Sequence, residues 1–546
     1  MGPSGAGKST LLNLLTGFHI SGMSGEILID GETREAGKVD SRKNSSYIMQ
    51  EDHLNPMFTV LEIMTIAANL KLGPPLPKKA KLMVVEDILD SLAMSNTKYT
   101  KCGSLSGGQK KRLCIALELI DNPPVMFLDE PTTGLDSSSA LHLVKLLKSL
   151  AMSGRTIICT IHQPSATVFE LFDHIYMLSE GECAYQGSTK NLIPFLHNIG
   201  LPCPEYHNPA DFLLDVVSGD FGRFNEQLVA NARDPVWRNS PSLKRNVESK
   251  KNASDNNNGK TCVLISSPSE WTKYSILLKR NVIQLHRDWT ITYLKVVLHI
   301  MVGIVMGLLF QNAGHDGDKS ISNVSFFICA LVYQSFTSVM PAVLKFPSEI
   351  NVLKKEQFNN WYSLRTYYIA FLSANIPVQM FFSFTFISIS YYLSSQILEL
   401  DRYIKFLAVS ELAVLISECI GLAIGTVDNP VNGIFWGSVL LAVKVLLAGF
   451  LAIFSHMPRP LYYLSYANFM RYTLEAMTIS IYGYEREKLP CPHQSLYCHF
   501  RYPEKLLNEI AMDKVDYWTD ATVLVIFFLA ASLNAYFFLH RRVKTR

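Results

Sequence analysis

The glycine-rich run at the start of the chain, Met1-Gly-Pro-Ser-Gly-Ala-Gly-Lys-Ser-Thr10, constrains the fold more than any other stretch. It satisfies the phosphate-loop pattern G-x-x-x-x-G-K-[ST], in which glycines let backbone N–H groups turn toward phosphate oxygens. The helix that follows directs its positive end at the same anion. We expect Lys8 to reach the β- and γ-phosphates of a nucleotide and the Ser9 hydroxyl to bind Mg²⁺. The alternative is a glycine turn that merely opens a helix, and the Lys-Ser-Thr sequence weighs against it.

Six apolar stretches, each long enough to cross a bilayer, occupy the C-terminal half of the chain and predict a multi-pass membrane domain. Their predicted limits are 291–310, 324–345, 366–393, 403–426, 431–454 and 519–540. A chain of 546 residues is too long for one core, so at least two domains are expected. The net charge of only +3 argues against a nucleic-acid partner.

Polar residues follow predicted strands and helix starts elsewhere in the N-terminal half. Ser46-Tyr-Ile-Met-Gln50 predicts a buried strand that ends in an amide able to bind Mg²⁺ and position water. Val125-Met-Phe-Leu-Asp129-Glu130 predicts a buried parallel strand that delivers two carboxylates at its C-terminal edge. We expect Asp129 to hold Mg²⁺ through water and Glu130 to orient or deprotonate an attacking water.

Two further motifs complete the pattern. Leu105-Ser-Gly-Gly-Gln109 stands ahead of a predicted helix and offers N–H groups and a hydroxyl to an anion. His162 directly follows a strand predicted for Thr156–Ile161, where it can reach a γ-phosphate. A single histidine is more often structural than catalytic, and Ser-Gly-Gly alone is usually a turn. The phosphate loop in the same chain favours the functional interpretation of both motifs.

In this order, over residues 1–187, the motifs resemble those of ATP-binding cassette (ABC) ATPases. The local sequences at 45–52, 159–165 and 206–212 resemble those of the G subfamily, the white-type half-transporters. Asn122-Pro-Pro-Val-Met-Phe127 leans toward the sterol- and phospholipid-exporting animal branch of that subfamily.

The resemblance implies an α/β P-loop ABC ATPase domain followed by an all-α transmembrane domain of six helices. Their predicted bounds are 1–230 for the nucleotide-binding domain, 231–270 for a polar linker and 271–546 for the membrane domain.

The resemblance also implies roles for residues. Glu130 is the expected catalytic carboxylate, His162 the switch residue, and Gln50 a helper in catalysis. Ser9, Gln50 and Asp129 are the expected Mg²⁺ ligands, and Asp136 is expected at a dimer contact. The residues predicted to bind ATP are Gly2, Pro3, Ser4, Gly5, Ala6, Gly7, Lys8, Ser9 and Thr10, with Ser106, Gly107, Gly108 and Gln109 on the ATP of a partner subunit.

Each ATP in such proteins needs a phosphate loop from one subunit and a signature from another, so a homodimer or a heterodimer with another G-type half-transporter is expected. Members of the family carry strands and an adenine-stacking aromatic upstream of the phosphate loop. Only Met1 precedes it here, which predicts an N-terminally incomplete chain. That departure keeps one alternative open: a catalytically incomplete isoform that acts as a regulatory dimer partner.

The membrane half carries its own signals. Residues 271–289 predict an amphipathic helix at the interface, and the basic segments predict that both termini are cytosolic. Phe346–Tyr362 predicts a short cytosolic helix that rests on the cassette. Glu418 and Lys444 are charges within spans, and we hypothesise that they pair across adjacent helices.

Cys491 and Cys498 lie in the segment between the last two apolar stretches, which we expect on the outer face. They are candidates for a disulfide, and a metal site beside His493 is the less favoured alternative.

Together these features predict an ATP-driven half-transporter that exports a lipid or sterol from the plasma membrane or an endosomal membrane. A pigment precursor or a xenobiotic is the alternative cargo.

Overall fold

The computed structural model describes residues 1–18, 22–29, 32–33, 45–234, 237, 267–427, 429–491, 498–512 and 516–544. The chain forms two compact units. The first comprises Met1–Ile276 together with Lys354–Ser363, and the second comprises Leu277–Leu353 and Leu364–Thr545. The first is an α/β unit and the second is helical, which confirms the predicted fold class. Most of the predicted linker, 231–270, lies outside the described residues.

The strands of the first unit are β1 (Leu28–Ile29), β2 (Glu32–Thr33), β3 (Ser45–Ile48), β4 (Val125–Leu128), β5 (Thr156–Cys159), β6 (Ile175–Ser179) and β7 (Glu182–Gly187). Its helices are α1 (Lys8–Thr16), α2 (Val60–Lys71), α3 (Lys78–Ser91), α4 (Gly107–Leu119), α5 (Ser137–Met152), α6 (Ala166–Phe169), α7 (Leu192–Asn198), α8 (Pro209–Ser218) and α9 (Asn225–Ala232). The short apolar runs became strands and the longer amphipathic runs became helices, as expected for their lengths.

A parallel sheet in the order β3-β4-β5 positions the predicted site. Val125 lies opposite both Ser45 and Thr156 in the register, so the three strands end at one edge. Strands β6 and β7 form a separate antiparallel pair. Met1 is hydrogen-bonded to β6, since its ammonium donates to Tyr176 O at 2.7 Å and its carbonyl accepts from Leu178 N at 2.9 Å. These bonds fix the start of the phosphate loop beside β6.

The helix starts around the site carry strong local signals. Thr59 and Glu62 form a capping box at α2, and Ser106 and Gln109 form one at α4. Each box satisfies two backbone donors that the first helical turn would otherwise leave unpaired. The Asp136 side chain caps α5 by accepting from Ser139 N at 3.0 Å. These caps define where three helices of the first unit begin.

The described helices of the second unit, some of which begin or end in the first, are α10 (Glu270–Arg287), α11 (Trp289–Leu309), α12 (Ser320–Phe358), α13 (Leu364–Leu393), α14 (Leu400–Val427), α15 (Pro430–Leu446), α16 (Arg459–Ser465), α17 (Phe469–Tyr482), α18 (Pro503–Glu509) and α19 (Tyr517–Lys544). Five stretches in the described part of the chain are long and apolar enough to cross a membrane: Thr292–Leu309, Gly317–Phe358, Leu364–Leu393, Leu400–Val427 and Tyr517–Lys544. Helix α15 is apolar but shorter.

Three details differ from the sequence-based expectation. Helix α15 ends at Leu446, whereas the apolar run predicted a span to residue 454, because Gly449 turns the chain at φ 94°. Residues 346–358 are the end of α12 and not a separate short helix, since Pro347 lies inside a helix that continues through it. Helix α17 was missed because its 14 residues are too few to span.

Helix α17 belongs to the hydrophobic core of the second unit, where Phe469, Met470 and Leu474 are buried among residues of the long apolar helices. Because the surrounding segment is polar, this helix could not be predicted from the sequence. Near it, Cys491 and Cys498 are joined by a disulfide.

Candidate functional site

The phosphate loop is shaped by glycines in conformations that other residues rarely adopt. Gly5 has φ 80° and Gly7 has φ 94°, and Gly7 caps helix α1. At Gly2 a side chain would be blocked, because a Cβ would lie 2.4 Å from Leu178 O. The loop is therefore built as the sequence pattern requires.

Lys8 is held inside this loop. Its ammonium donates to Gly2 O and to Pro3 O, both at 2.9 Å, and only 7% of the residue is exposed. Carbonyl oxygens are weaker partners for an ammonium than phosphate oxygens, since a charge on both sides strengthens a hydrogen bond. The side chain is thus placed where an anion in the loop would attract it.

Ser9 and Asp129 meet beneath the loop. The Ser9 hydroxyl donates to Asp129 Oδ1 at 3.1 Å, although the residues are 120 positions apart. Thr160, at the end of β5, donates to the same oxygen at 2.6 Å. Hard oxygen ligands of this kind suit Mg²⁺, which is usually held by one or two carboxylates plus nucleotide phosphates. Ser9 and Asp129 therefore fit the predicted metal role.

Tyr47 is a residue of this site that the sequence did not reveal. It lies in β3, its hydroxyl donates to Asn13 Oδ1 at 2.8 Å, and Asp129 Oδ2 is 3.5 Å away. Burial raises the pKa of Tyr47 above its ordinary value, and the charge of Asp129 raises it further. The phenol therefore stays protonated as a donor. Inward-facing residues on strands beside β4 were the available signal for both Tyr47 and Thr160.

Glu130 accepts hydrogen bonds from two neighbouring side chains. Its Oε2 accepts from Gln50 Nε2 at 3.1 Å and from the Thr133 hydroxyl at 2.9 Å. Its backbone has φ 41°, a strained value for a residue with a side chain, and its N–H donates to Thr160 Oγ1 at 2.8 Å. The structure thus brings Gln50 and Glu130 together beside Asp129.

Gln50 is positioned by a buried lysine. The Lys111 ammonium donates to Gln50 O at 2.8 Å and lies 2.9 Å from Asp52 Oδ1. Because Lys111 is on helix α4, it ties the end of β3 to the helix that the Leu-Ser-Gly-Gly-Gln motif opens. Lys111 is a positioning residue that the sequence did not single out.

His162 lies just beyond β5 and is half-buried. Within the described part of the chain, no hydrogen bond joins it to Glu130, Gln50 or the phosphate loop. The strand it follows is the neighbour of β4 in the sheet order β3-β4-β5.

In the described part of the chain, no hydrogen bond joins the Leu-Ser-Gly-Gly-Gln motif to the phosphate loop. Ser106 and Gln109 satisfy each other at the start of α4, where Gln109 Oε1 accepts from Ser106 N at 3.0 Å. Ser106, Gly107 and Asp136 are exposed to solvent. Hydrogen bonds from Ser139 lower the pKa of Asp136, so this carboxylate is ionised at neutral pH. The motif is therefore available to a ligand outside its own chain.

The segment Lys354–Ser363 packs against β3. Asn359 pairs with both backbone groups of Tyr47, accepting from its N–H at 3.0 Å and donating to its carbonyl at 3.0 Å. The ring of Phe358 lies 5.7 Å from that of Tyr47, edge to face. Tyr47 in turn approaches Asp129. The segment at the end of the second long apolar helix is thus two contacts away from the predicted Mg²⁺ ligand.

A buried charge cluster anchors the same segment. The Lys71 ammonium lies 2.7 Å from Glu118 Oε2 and 2.9 Å from Asp121 Oδ1, and it stacks over the Trp361 ring at 5.3 Å. Lys355 lies 3.1 Å from the sulfur of Cys114. Lys71, Glu118 and Lys355 are almost fully buried, whereas the Asp121 side chain is 39% exposed.

The hypothesis that Glu418 pairs with Lys444 is wrong. The Lys444 ammonium lies over the ring of Phe469 at 4.6 Å. Glu418 instead lines a cavity of about 70 Å³ together with Lys295, whose ammonium donates to Gln379 Oε1 at 3.3 Å. An intramembrane lysine in the first apolar stretch was the signal for this site.

Models of protein families describe two parts of the chain. Residues 1–133 match the model described as ABC transporter, and residues 272–482 match one described as ABC-2 type transporter. A second ABC-2 type transporter model matches residues 162–237.

Known proteins match over most of the chain. ABC transporter G family member 21 of Arabidopsis thaliana is 30% identical over 501 residues, which covers 86% of this chain and 73% of that protein. Protein scarlet of Drosophila melanogaster is 28% identical over 577 residues, covering all of this chain and 84% of that protein. Protein white of the same organism is 27% identical over 568 residues, and 81% of it is covered.

Among solved structures, an ATP-binding cassette of an ABC transporter in its ADP conformation is 25% identical to this chain. The match covers 36% of this chain and 82% of that one, with a TM-score of 0.31.

Proposed function

Since the chain belongs to the G family of ABC transporters, we propose that it works as a dimer that exports a lipid or a sterol. The family assignment makes it a half-transporter whose ATPase domain couples ATP hydrolysis to transport. The dimer, the cargo and the roles of individual residues are the proposed parts.

The observation that carries the dimer is the exposure of the Leu-Ser-Gly-Gly-Gln motif. Ser9 of the phosphate loop is bonded to Asp129, whereas Ser106 and Gly107 are exposed and, among the described residues, Ser106 is bonded to its own helix start and not to the loop. A helix start with available N–H groups favours an anion. A second subunit would supply that anion as the γ-phosphate of its own bound ATP.

Within each site we assign roles by chemistry. The ammonium of Lys8 binds the β- and γ-phosphates, and Ser9, Asp129 and Gln50 hold Mg²⁺, which neutralises charge on the phosphates when bound. Glu130 accepts a proton from the attacking water or orients it, and Gln50 holds the Glu130 carboxylate in place through their 3.1 Å hydrogen bond. His162 is the proposed switch residue at the γ-phosphate.

The segment Lys354–Ser363 is the proposed link between hydrolysis and transport. Its Asn359 is bonded to the backbone of Tyr47, and the Tyr47 hydroxyl lies near Asp129. A displacement of the Mg²⁺ ligands would therefore move Tyr47 and, through it, Asn359, which directly follows the last residue of a membrane-crossing helix.

The lipid or sterol cargo rests on two observations. The sequence of residues 122–127 resembles that of the sterol- and phospholipid-exporting animal branch. In addition, helix α15 leaves Val431, Phe435 and Trp436 exposed. An apolar face of this kind suits an apolar cargo or a partner subunit. The relatives white and scarlet favour a second candidate, a pigment precursor moved by the same machinery.

We also propose that both termini are cytosolic and that the protein resides in the plasma membrane or an endosomal membrane. Basic residues at Arg541 and Arg542 end the last apolar helix, and positive charge accumulates on the cytosolic side of membrane helices.

Mixed dimers test the proposed site directly. Chains with Lys8→Ala and chains with Gly108→Asp should each be inactive alone, because every site contains one defect. Co-expressed and purified through two different tags, they should regain ATPase activity, since one of the two sites then has an intact loop and an intact signature. A mixed dimer as inactive as its parents would refute the shared site.

Cargo is tested with the wild-type dimer and the Glu130→Gln variant in vesicles. The variant should lose ATPase activity by about 100-fold or more, as expected when the group that handles the attacking proton is removed. Radiolabelled sterol and phospholipid should move only with the active protein. Movement of a pigment precursor without movement of either lipid would decide for the second candidate.

A further inference from the structure

A cavity of about 290 Å³ lies where helix α13 ends and helix α14 begins. Three tyrosines, Tyr391, Tyr392 and Tyr403, line it together with the carboxylate of Glu399. The cavity lies wholly within the second unit and far along the chain from the ATP site. None of the proposed steps of hydrolysis uses it.

The hydroxyl groups of Tyr391, Ser388 and Tyr403 are already engaged with protein atoms. The Tyr391 hydroxyl donates to Ile397 O at 2.8 Å. The Ser388 hydroxyl donates to Phe384 O at 2.6 Å, so it accepts from the Tyr403 hydroxyl at 2.7 Å. Each of these hydroxyls thus donates its single proton to a hydrogen bond within the protein. What the cavity offers a ligand is aromatic surface.

The aromatic rings are set at an angle to one another. The rings of Tyr391 and Tyr403 lie 5.1 Å apart with their planes 71° from parallel. The two rings pack edge to face on each other and form one continuous aromatic wall, in which Tyr391 is only 3% exposed. The faces of aromatic rings carry negative potential, which attracts a cation.

Glu399 adds the one acidic side chain in the lining. Its Oε2 accepts from Arg402 Nε at 2.7 Å. The other nitrogens of Arg402 donate to the backbone carbonyls at the end of helix α17, among them Gly483 O at 2.8 Å. The positive charge of Arg402 is therefore shared with those carbonyls, while the second oxygen of the half-exposed Glu399 carboxylate remains available to a ligand.

We propose that this cavity binds a quaternary ammonium group, the trimethylammonium head of a choline lipid. Aromatic walls combined with a carboxylate attract a cation. A trimethylammonium donates no hydrogen bonds, so it needs no acceptor among these side chains. A primary ammonium carries three donors, and the second oxygen of Glu399 is the one charged acceptor that the lining offers, so part of its hydration would be lost without replacement.

The rim of the cavity indicates that the ligand arrives from the bilayer. Leu398 is 77% exposed and Leu400 is 73% exposed, and both line the opening. The two helices that flank it are each long and apolar enough to cross a membrane. Tyrosines are common at the ends of such helices, but that preference alone produces neither a cavity nor a carboxylate within it.

The site is tested by binding to the purified full chain in detergent without ATP, so the result does not depend on export. Native mass spectrometry would follow titrations of phosphatidylcholine and phosphatidylethanolamine with identical acyl chains. We expect phosphatidylcholine to bind about fivefold more tightly, with saturation at one molecule per chain, as the difference in cation–π contacts suggests. Equal affinities, or binding that does not saturate, would overturn the proposal.

Three variants separate the site from general lipid contact. Glu399→Gln should weaken phosphatidylcholine binding about fivefold, and Tyr392→Leu should also weaken it, since Tyr392 is exposed and can be replaced without opening the core. Asp401→Asn removes the same charge two residues away, where it pairs with Lys405 outside the cavity, and should change nothing. Equal effects of Glu399→Gln and Asp401→Asn would refute the assigned role of Glu399.

Soluble phosphocholine distinguishes the source of the head group. At concentrations equal to those of the lipid it should leave phosphatidylcholine binding unchanged, because it lacks the acyl chains that reach the apolar rim. Displacement of the lipid by an equal concentration of phosphocholine would overturn the assignment to a membrane lipid.

Discussion

Lys71 in the first unit and Lys295 in the second are both buried ammonium groups, and their surroundings differ. Lys71 lies 2.7 Å from Glu118 and 2.9 Å from Asp121. Burial acts to lower the pKa of Lys71, but the two carboxylates outweigh it and raise the pKa above the ordinary value. Lys295 donates to the neutral amide of Gln379 and shares a cavity with Glu418, without an ion pair inside 4 Å in the described part of the chain.

The difference separates structural charges from candidates for function. A buried ion pair in direct contact is expensive to break, so Lys71 and its partners hold helices α2 and α4 together around Trp361. Incompletely paired charges within membrane helices usually mark pathways or moving parts. We therefore expect substitutions in the first cluster to act on stability and substitutions in the second to act mainly on transport.

The largest expected effect is at Lys71. Lys71→Met leaves Glu118 buried without its cation and should lower the free energy of unfolding by about 3–5 kcal/mol, the cost of breaking a buried pair. Thermal unfolding of the purified chain measures it. Lys148→Met is the matched control, because its 2.6 Å pair with Asp173 is solvent-exposed and is worth about 1 kcal/mol or less. Equal losses in the two variants would break the comparison.

Asn359→Leu should have the next largest effect. It removes the side chain that satisfies both backbone groups of Tyr47, and each buried unpaired group costs about 1–3 kcal/mol. Asn351→Leu, at an exposed position of helix α12, is a control for the same change. The coupling role predicts that transport per ATP hydrolysed falls in Asn359→Leu vesicles. A loss of stability with unchanged transport per ATP would leave Asn359 a purely structural residue.

Lys295→Met should lower the free energy of unfolding by about 1–2 kcal/mol, less than Lys71→Met, because it removes one hydrogen bond to an amide and no ion pair within 4 Å among the described residues. Transport should fall more than ATPase activity. Lys444→Met is the comparison, since Lys444 is also an intramembrane lysine but contacts the Phe469 ring and not Glu418. A stability loss as large as that of Lys71→Met would show that Lys295 is structural.

The smallest effect is expected at Asp136. Its side chain caps helix α5, and Asp136→Ala should lower stability slightly because the Ser139 N–H loses its partner at the helix start. Asp136→Asn keeps a capping oxygen and should recover most of that loss. If Asp136 also contacts a second subunit, both variants should weaken dimerisation in the presence of ATP, measured by the sedimentation of purified protein. A normal dimer in both variants would limit Asp136 to capping.

Much of the ATP site could be predicted because its signals are local. Gly5 and Gly7 indicate a loop with positive φ angles. The apolar run that ends in Asp129-Glu130 indicates a buried strand with two acids at its edge. The long apolar helices were likewise visible from length and composition. Helix α17 was not, because 14 residues with polar flanks look like a loop until the helices that bury them are known.

The sequence by itself determined the fold class, the phosphate loop and the acids beside it, since each depends on residues that are neighbours along the chain. Only the tertiary structure decided which groups surround them. Tyr47 and Asn359 are 312 residues apart and pair through two hydrogen bonds. Likewise, Glu418 shares its cavity with Lys295 and not with the nearer Lys444. Such partners depend on how strands and helices pack, and the number of residues between two positions does not reveal that packing.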